Sequence, residues 1–240
     1  MKQALPPRNI LITGASRGIG RACALALAAP GVRLILHART TQALAETAAA
    51  CQAKGAQTLA WPLDLADVPS IGPAVRSLVE QVGPIHTLVN NAGLWIEESF
   101  TLGDMAAWDQ ALDVNLKAVI HLCRHALEKM PDQGAMVFIA STASRWSYAN
   151  GTNYCAAKFG VMGFAGALFE DIRARGIKVC SIFPGVVNTD MHAQDASLVK
   201  DLMIQPQDIA QAVVYVLGTP SNICPTELVI NPQKNPRTRS

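Results

Sequence analysis

Tyr154 and Lys158 stand four residues apart in Tyr154-Cys155-Ala156-Ala157-Lys158, and Ser141 precedes the tyrosine by thirteen positions. On a helix, that four-residue spacing brings a phenol and an ammonium out of one face, a turn apart. A free phenol loses its proton near a pKa of about 10, and an adjacent cation favours phenolate, bringing the group toward neutral-pH acid–base work. The set is suited to moving a proton. Each member also has an ordinary alternative: half-buried packing for the tyrosine, a solvated handle for the lysine, a cap for the serine.

A second group lies near the start, in Thr13-Gly14-Ala15-Ser16-Arg17-Gly18-Ile19-Gly20. It follows the apolar stretch Asn9 to Ile12, of buried-strand character, and precedes the alanine-rich helix former Arg21 to Ala29. Glycine lets the backbone turn and approach a pyrophosphate closely, and the helix N-terminus offers unpaired N–H groups and partial positive charge. A phosphate-rich dinucleotide suits such a loop. The spacing is Gly-x-x-x-Gly-x-Gly, unlike the common Gly-x-Gly-x-x-Gly fingerprint, so by itself the loop is also compatible with an ordinary strand-to-helix turn.

Strand and helix signals alternate along the rest of the chain, without internal repeats or low-complexity linkers. Strands are expected near 32–37, 57–62, 87–90, 135–140, 177–183 and 228–230, and helices near 41–54, 68–81, 105–129 and 153–175, with another beginning near Gln207. The expected fold is α/β, a single-domain Rossmann-type doubly wound parallel sheet spanning residues 1–240, with an exposed tail near 232–240. Such sheets bind ligands beyond the carboxyl ends of their strands, where the motifs fall.

The glycine loop, Asn90-Asn91-Ala92-Gly93, Asn115, Ser141, the Tyr154/Lys158 pair and Pro184-Gly185 stand in the order and spacing of the short-chain dehydrogenase/reductase family. The chain resembles that family along nearly its whole length, and within it the 3-oxoacyl-carrier-protein-reductase-like ketoreductases. The resemblance implies that Tyr154 donates a proton to a carbonyl oxygen as hydride arrives from a nicotinamide, that Ser141 hydrogen-bonds that oxygen, and that Lys158 also binds the nicotinamide ribose. It implies further that Asn115 holds a water in a proton relay to the lysine. For the cofactor it implies contacts from Gly14, Ser16, Arg17, Gly18, Ile19, Gly20, Asp64, Leu65, Asn91 and the strand-end Asn90, then Tyr154, Lys158, Pro184, Gly185, Val187 and Thr189. The family's glycine-rich segment after the last strand has no counterpart here.

Charge indicates which dinucleotide. Family members that bind NAD carry an acid after the second strand, where it takes the adenosine ribose hydroxyls. This chain has His37-Ala38-Arg39-Thr40. An arginine there grips a 2′-phosphate that a carboxylate would repel, and Arg17 is placed to close on its other side. NADP is the expected cofactor, with Arg39 and Thr40 in its site.

Composition sets the remaining bounds. The 240 residues are half hydrophobic, and with 16% charged residues and a net charge of +2 no nucleic-acid surface is expected. The six cysteines lack metal-ligand spacing, and His121 and His125, four apart, have no third ligand nearby, so no metal is expected. The opening residues lack a signal-peptide core, and no apolar run approaches the ~18 residues of a membrane helix. A cytoplasmic location without membrane contact is the expectation. Trp95, Trp146, Tyr148 and Met191 flank the motifs and are candidates for an apolar substrate mouth, under a covering segment around residues 191–200. The substrate is expected to be a small-molecule or carrier-bound carbonyl; Arg173 and Arg175 are candidates for attracting an acidic carrier. Helices 105–129 and 153–175 resemble those through which family members form homodimers or homotetramers. Besides an NADPH-dependent reductase, a non-enzymatic NADP(H)-binding sensor and an NADP-dependent alcohol dehydrogenase remain open.

Overall fold

The computed structural model describes residues 8–237, so the opening residues and the last three of the tail lie outside it. Seven strands, β1 (Arg8–Ile12), β2 (Val32–Ala38), β3 (Gln57–Pro62), β4 (Thr87–Asn90), β5 (Ala135–Ile139), β6 (Lys178–Pro184) and β7 (Glu227–Ile230), form one sheet in the order β3-β2-β1-β4-β5-β6-β7. Every neighbouring pair is parallel.

The alternation of side chains along each strand separates two cores. Ile10, Ile12, Leu34 and Leu36 face one side, where α1 (Gly18–Leu27), α2 (Ala45–Gln52) and α7 (Pro206–Gly218) pack. Leu11 and Ile35 face the other, covered by α3 (Val68–Val82), α5 (Ala118–Leu127) and α6 (Thr152–Ile172). Burial on both faces explains why these strands read as continuous apolar runs rather than as an alternating pattern.

The order of strands reverses between β1 and β4. Chains leaving those two strands diverge to opposite faces and open a crevice at their carboxyl ends. All the motif-bearing turns lie at this edge of the sheet, which gathers residues from positions 13 to 189 at one place.

Two expected elements differ in detail. The single helix near 105–129 is interrupted: α4 (Met105–Leu112) passes through a π-helical turn, Asp113–Lys117, into α5. Such turns accommodate an extra residue in the helix, and this one carries Asn115. The helix near 41–54 is a 3₁₀ turn, Gln42–Leu44, followed by α2, and that near 153–175 closes with a 3₁₀ turn at Arg173–Arg175.

The expected tail is solvent-facing at Gln233, Lys234, Asn235 and Arg237, but it is also fastened. Pro236 is buried and its carbonyl accepts from the Val199 N–H at 2.8 Å, while Leu198 and Arg237 form an antiparallel bridge. Arg237 adds an ion pair to Asp195 at 3.4 Å. The C-terminal strand of chain therefore lies against the segment that covers the site.

Candidate active site

The loop after β1 turns through two glycines in the left-handed region, Gly14 at φ +66° and Gly18 at φ +53°. Gly20 is required for another reason. A Cβ there would come within 2.1 Å of the Gly14 carbonyl oxygen and 2.6 Å of Asn91 Nδ2, so α1 can settle on the loop only without a side chain at that point. No side chain caps the N-terminus of α1, and its first turn holds no acid. Its unpaired N–H groups and positive end are left for an anion.

Side chains from two neighbouring strands hold this loop. Asn91 Nδ2 donates to the carbonyls of Thr13 at 2.9 Å and Gly14 at 3.2 Å, and Thr13 Oγ1 accepts from the N–H groups of Asn91 and Ala92. On the other side the Gly14 N–H donates to His37 Nδ1 at 3.2 Å. No sequence signal marks His37, because a histidine closing an apolar strand reads only as part of that strand.

The remaining cofactor candidates stand around the same edge. Arg39 and Thr40 follow β2 and are exposed; Asp64 and Leu65 follow β3, the aspartate turned back on the Ala66 N–H and the leucine buried. Ser16 and Ile19 line the loop itself, with Ile19 packed on the adjoining core. Asn90 is buried at the end of β4. Pro184 ends β6, Gly185 donates its N–H to the Ile230 carbonyl, and Val187 is buried and bridged to Ile204. Thr189 reaches the glycine loop, its Cγ2 lying 3.2 Å from where a Cβ on Gly18 would stand. Arg17, expected beside a 2′-phosphate, pairs with Asp190 at 3.1 Å, with both side chains largely in solvent.

Ser141 ends the turn after β5 and accepts from the Ala143 N–H at 3.1 Å. Tyr154 and Lys158 sit in the first two turns of α6, and both are buried. Lys158 Nζ lies 5.6 Å from the centroid of the Tyr154 ring and donates to the Ile139 carbonyl at 3.1 Å. The electrostatics depart from the expected tuning. Burial is the dominant influence on Tyr154 and pushes its phenol pKa up, with a hydrogen bond from Ser141 pulling the other way. Burial also lowers Lys158, to about 8. Enclosure disfavours the charged form of each group, and on the phenol it outweighs the opposing Ser141 hydrogen bond.

Asn115 is buried and bonded in both directions to one residue: its Oδ1 accepts from the Leu94 N–H at 2.8 Å and its Nδ2 donates to the Leu94 carbonyl at 2.7 Å. A Cβ on Gly93 would fall 2.9 Å from that oxygen and 3.9 Å from Lys158 Nζ, so the glycine lets the amide and the ammonium approach.

At the entrance, Trp95 packs against the small cluster of Ala143, Tyr154 and Cys155, and its Nε1–H donates to the Tyr148 hydroxyl at 3.1 Å. His192, from the covering segment, meets the Trp95 ring edge-on with centroids 5.2 Å apart. Sequence reasoning misses His192, whose only signal is its place beside Met191. Trp146 is mostly exposed at 59% and Met191 partly so. Elsewhere, His125 is engaged with Glu128 at 3.2 Å, and no cluster of three metal-binding side chains occurs among the described residues. No helix among them is long and apolar enough to cross a membrane.

Comparison with known proteins agrees with this geometry. Residues 8–198 match the family model described as short chain dehydrogenase. An uncharacterized oxidoreductase of Staphylococcus saprophyticus is 33% identical over 231 residues, covering 95% of this chain and 98% of its own. A 3-oxoacyl-[acyl-carrier-protein] reductase of Synechocystis is 33% identical over 192 residues, 78% of this chain and 77% of its own. Among solved structures, a short chain dehydrogenase from Burkholderia cenocepacia in complex with NADP superimposes with a TM-score of 0.85 at 30% identity, over 95% of this chain and 98% of that one.

The buried histidine gives the site a pH dependence. Burial lowers His37 from its ordinary 6.5 to about 4, against smaller opposing effects of the Leu63 carbonyl and Asp64. On acidification the unfolded imidazole takes a proton near 6.5 while the folded one resists until about 4. Its contribution to stability is therefore fully present above pH 6.5 and is lost as pH falls through that window, by up to about 3 kcal/mol. His86 and His192, also lowered by burial, act in the same direction. Denaturant unfolding at a series of pH values should show a plateau above neutrality and a decline below it; stability rising on acidification from pH 6.5 to 4 contradicts this account.

Proposed function

The chain belongs to the short chain dehydrogenase family, and from that premise we propose that it is an NADPH-dependent reductase, turning a carbonyl into an alcohol by hydride transfer with Tyr154 as the proton donor. The observation that carries this reading is the set gathered beyond the end of β5, where Ser141 acts on the Tyr154 phenol and Lys158 Nζ stands 5.6 Å from its ring. The glycine cradle, filled by a Cβ at Gly20 and fronted by an uncapped helix end, fits a dinucleotide pyrophosphate. A bound reduced nicotinamide supplies the hydride.

Each side chain then has a separate task. Tyr154, kept as the neutral phenol by burial, holds the proton and gives it to the carbonyl oxygen. Ser141 hydrogen-bonds the same oxygen and stabilises the charge that gathers on it. Lys158 binds the ribose hydroxyls and places a positive charge beside the phenol as it ionises. Asn115, whose amide oxygen adjoins Gly93 on the side of Lys158, orders a water that returns the proton to the lysine. A sensor would need no enclosed phenol and ammonium, whereas a reductase uses both.

The 2′-phosphate of NADPH is assigned to Arg39 with Thr40 and Arg17. An exposed guanidinium stands after β2 where no acid is present. The substrate class follows from the entrance: Trp95, Tyr148 and His192 favour a largely apolar ketone, aldehyde or 3-oxoacyl group. Arg173 and Arg175 are engaged with Glu170 and Asp132 within the chain, so the reading does not draw on them to dock an acidic carrier. Six free thiols suit a reducing cytoplasm.

Tyr154→Phe should abolish turnover while leaving NADPH affinity within a few-fold, as stopped-flow reduction and fluorescence titration will show; wild-type rates in that variant would remove Tyr154 from the mechanism. Loss of a charge-assisted hydrogen bond costs about 1.5–3 kcal/mol, so Arg39→Ala should weaken NADPH by roughly ten- to a hundred-fold and leave NADH nearly unchanged. Equal losses for both cofactors would mean that the phosphate lies elsewhere. The outward face of α6 presents Ala156, Phe159, Gly163 and Gly166, and through it and α5 the chain is proposed to pair with a second copy. Light scattering at micromolar concentration should report a dimer or tetramer, against which a monomer alone would count decisively.

A further inference from the structure

His37 is buried, at 3% exposure, yet every polar group it offers toward this edge of the sheet is engaged with a different part of the site. Nδ1 accepts from the Gly14 N–H at 3.2 Å, and Nε2 lies 3.1 Å from the Leu63 carbonyl. An amide N–H can only donate, so Nδ1 is the unprotonated nitrogen and Nε2 carries the proton that it gives to Leu63. The His37 carbonyl also accepts from the Ala15 N–H at 2.8 Å. One residue therefore takes two successive N–H groups of the glycine loop and ties them to the segment that leads into Asp64 and Leu65. Trp61 packs beside the ring, with centroids 5.6 Å apart, and limits its rotation.

Gly14 is the first left-handed residue of the loop, and its peptide sets the course of the chain toward the N-terminus of α1. We infer that His37 is a positioning residue of the cofactor site, its imidazole acting as a strut that fixes the Gly14 peptide and couples the pyrophosphate loop to the adenine-side turn after β3. This rests on the reading of the glycine loop as the dinucleotide site. It goes beyond that reading because His37 is enclosed, with both ring nitrogens engaged by Gly14 and Leu63, and acts through those two residues. The strut supports the pyrophosphate and adenine ends, which NADPH and NADH share, whereas Arg39 bears on the 2′-phosphate alone.

The difference is measurable. His37→Leu keeps an apolar body in the pocket and removes both ring nitrogens; it should raise the Kd of NADPH and of NADH by the same factor, on the order of ten-fold. The KM for either cofactor should rise by more than kcat falls. His37→Asn places an amide oxygen near the position of Nδ1 and should restore most of the affinity for both. A selective loss for NADPH, affinities within two-fold of wild type in folded His37→Leu, or an asparagine variant as weak as the leucine one would each overturn the inference. Ring ¹⁵N spectra of the wild-type protein at pH 7 provide a test that needs no variant: the Nε2–H tautomer supports the strut, and an Nδ1–H tautomer or imidazolium overturns it. Failure of the wild type to bind either dinucleotide overturns the cofactor reading together with this one, whereas wild-type binding that His37→Leu leaves unchanged overturns the strut alone.

Discussion

The contact between α1 and the loop that precedes it governs the site. Gly20 lies so close to the Gly14 carbonyl that a Cβ would stand 2.1 Å from it, which holds the N-terminus of α1 against the carboxyl end of β1. That closeness delivers the uncapped helix end into the crevice between β1 and β4. It also requires the loop to be supported from outside, since a tight turn with glycines at positive φ has little rigidity of its own. Thr13 and Asn91 brace it from the side of β4, and His37 from the side of β2. The two flanking strands of the sheet thus act directly on the shape of the phosphate loop.

Burial then acts on the protonation of Tyr154 and Lys158. In water a tyrosine and a lysine are both poor partners for a neutral-pH proton transfer, the first too weak an acid and the second charged and solvated. Enclosed at the start of α6, the phenol is shifted toward its protonated form and the ammonium toward its neutral one. The opposed shifts move the two proton affinities apart: the phenol keeps its proton more firmly than in water, and the lysine gives its own up more readily. Ser141 is fastened by the Ala143 N–H in the short turn after β5, while Tyr154 and Lys158 are set by the first two turns of α6, so two separate elements bring the three side chains to one place.

Much of this was legible in the sequence because it depends on local spacing. Gly14, Gly18 and Gly20 need their particular backbone, and Tyr154 and Lys158 share a helix face by the four-residue period; such constraints leave the same trace in the chain as in the fold. The interactions that escaped are those between distant segments. His37 differs from the adjoining strand residues only in its partners, Gly14 and Leu63, and Asn115 shows its pairing to Leu94 only once the helix widens into a π-turn. The sign of the Tyr154 shift likewise depends on total enclosure, which a neighbour four residues away does not report.

The segment over the entrance is the least legible part for the same reason. Its start is held by the Asp190 pair with Arg17, its middle by the Asp195 pair with Arg237, and its far end by backbone bonds of Leu198 and Val199 to Arg237 and Pro236, all partners far off in the chain. Exposed ion pairs of this kind add little stability, and they are screened by salt. Apart from the backbone bonds near Leu198 and Val199, such pairs are what tie the covering segment to the loop below and the tail above, whereas the strands are bonded to one another along their length. Local opening therefore costs less at this segment than at β4, β5 and β6, which carry Asn91, Ser141 and Pro184 at or just beyond their ends. Lower stability in the covering segment and higher stability at the strand ends are two consequences of one arrangement, in which a sheet paired along every strand carries a chain beyond its carboxyl edge that is held at only a few points.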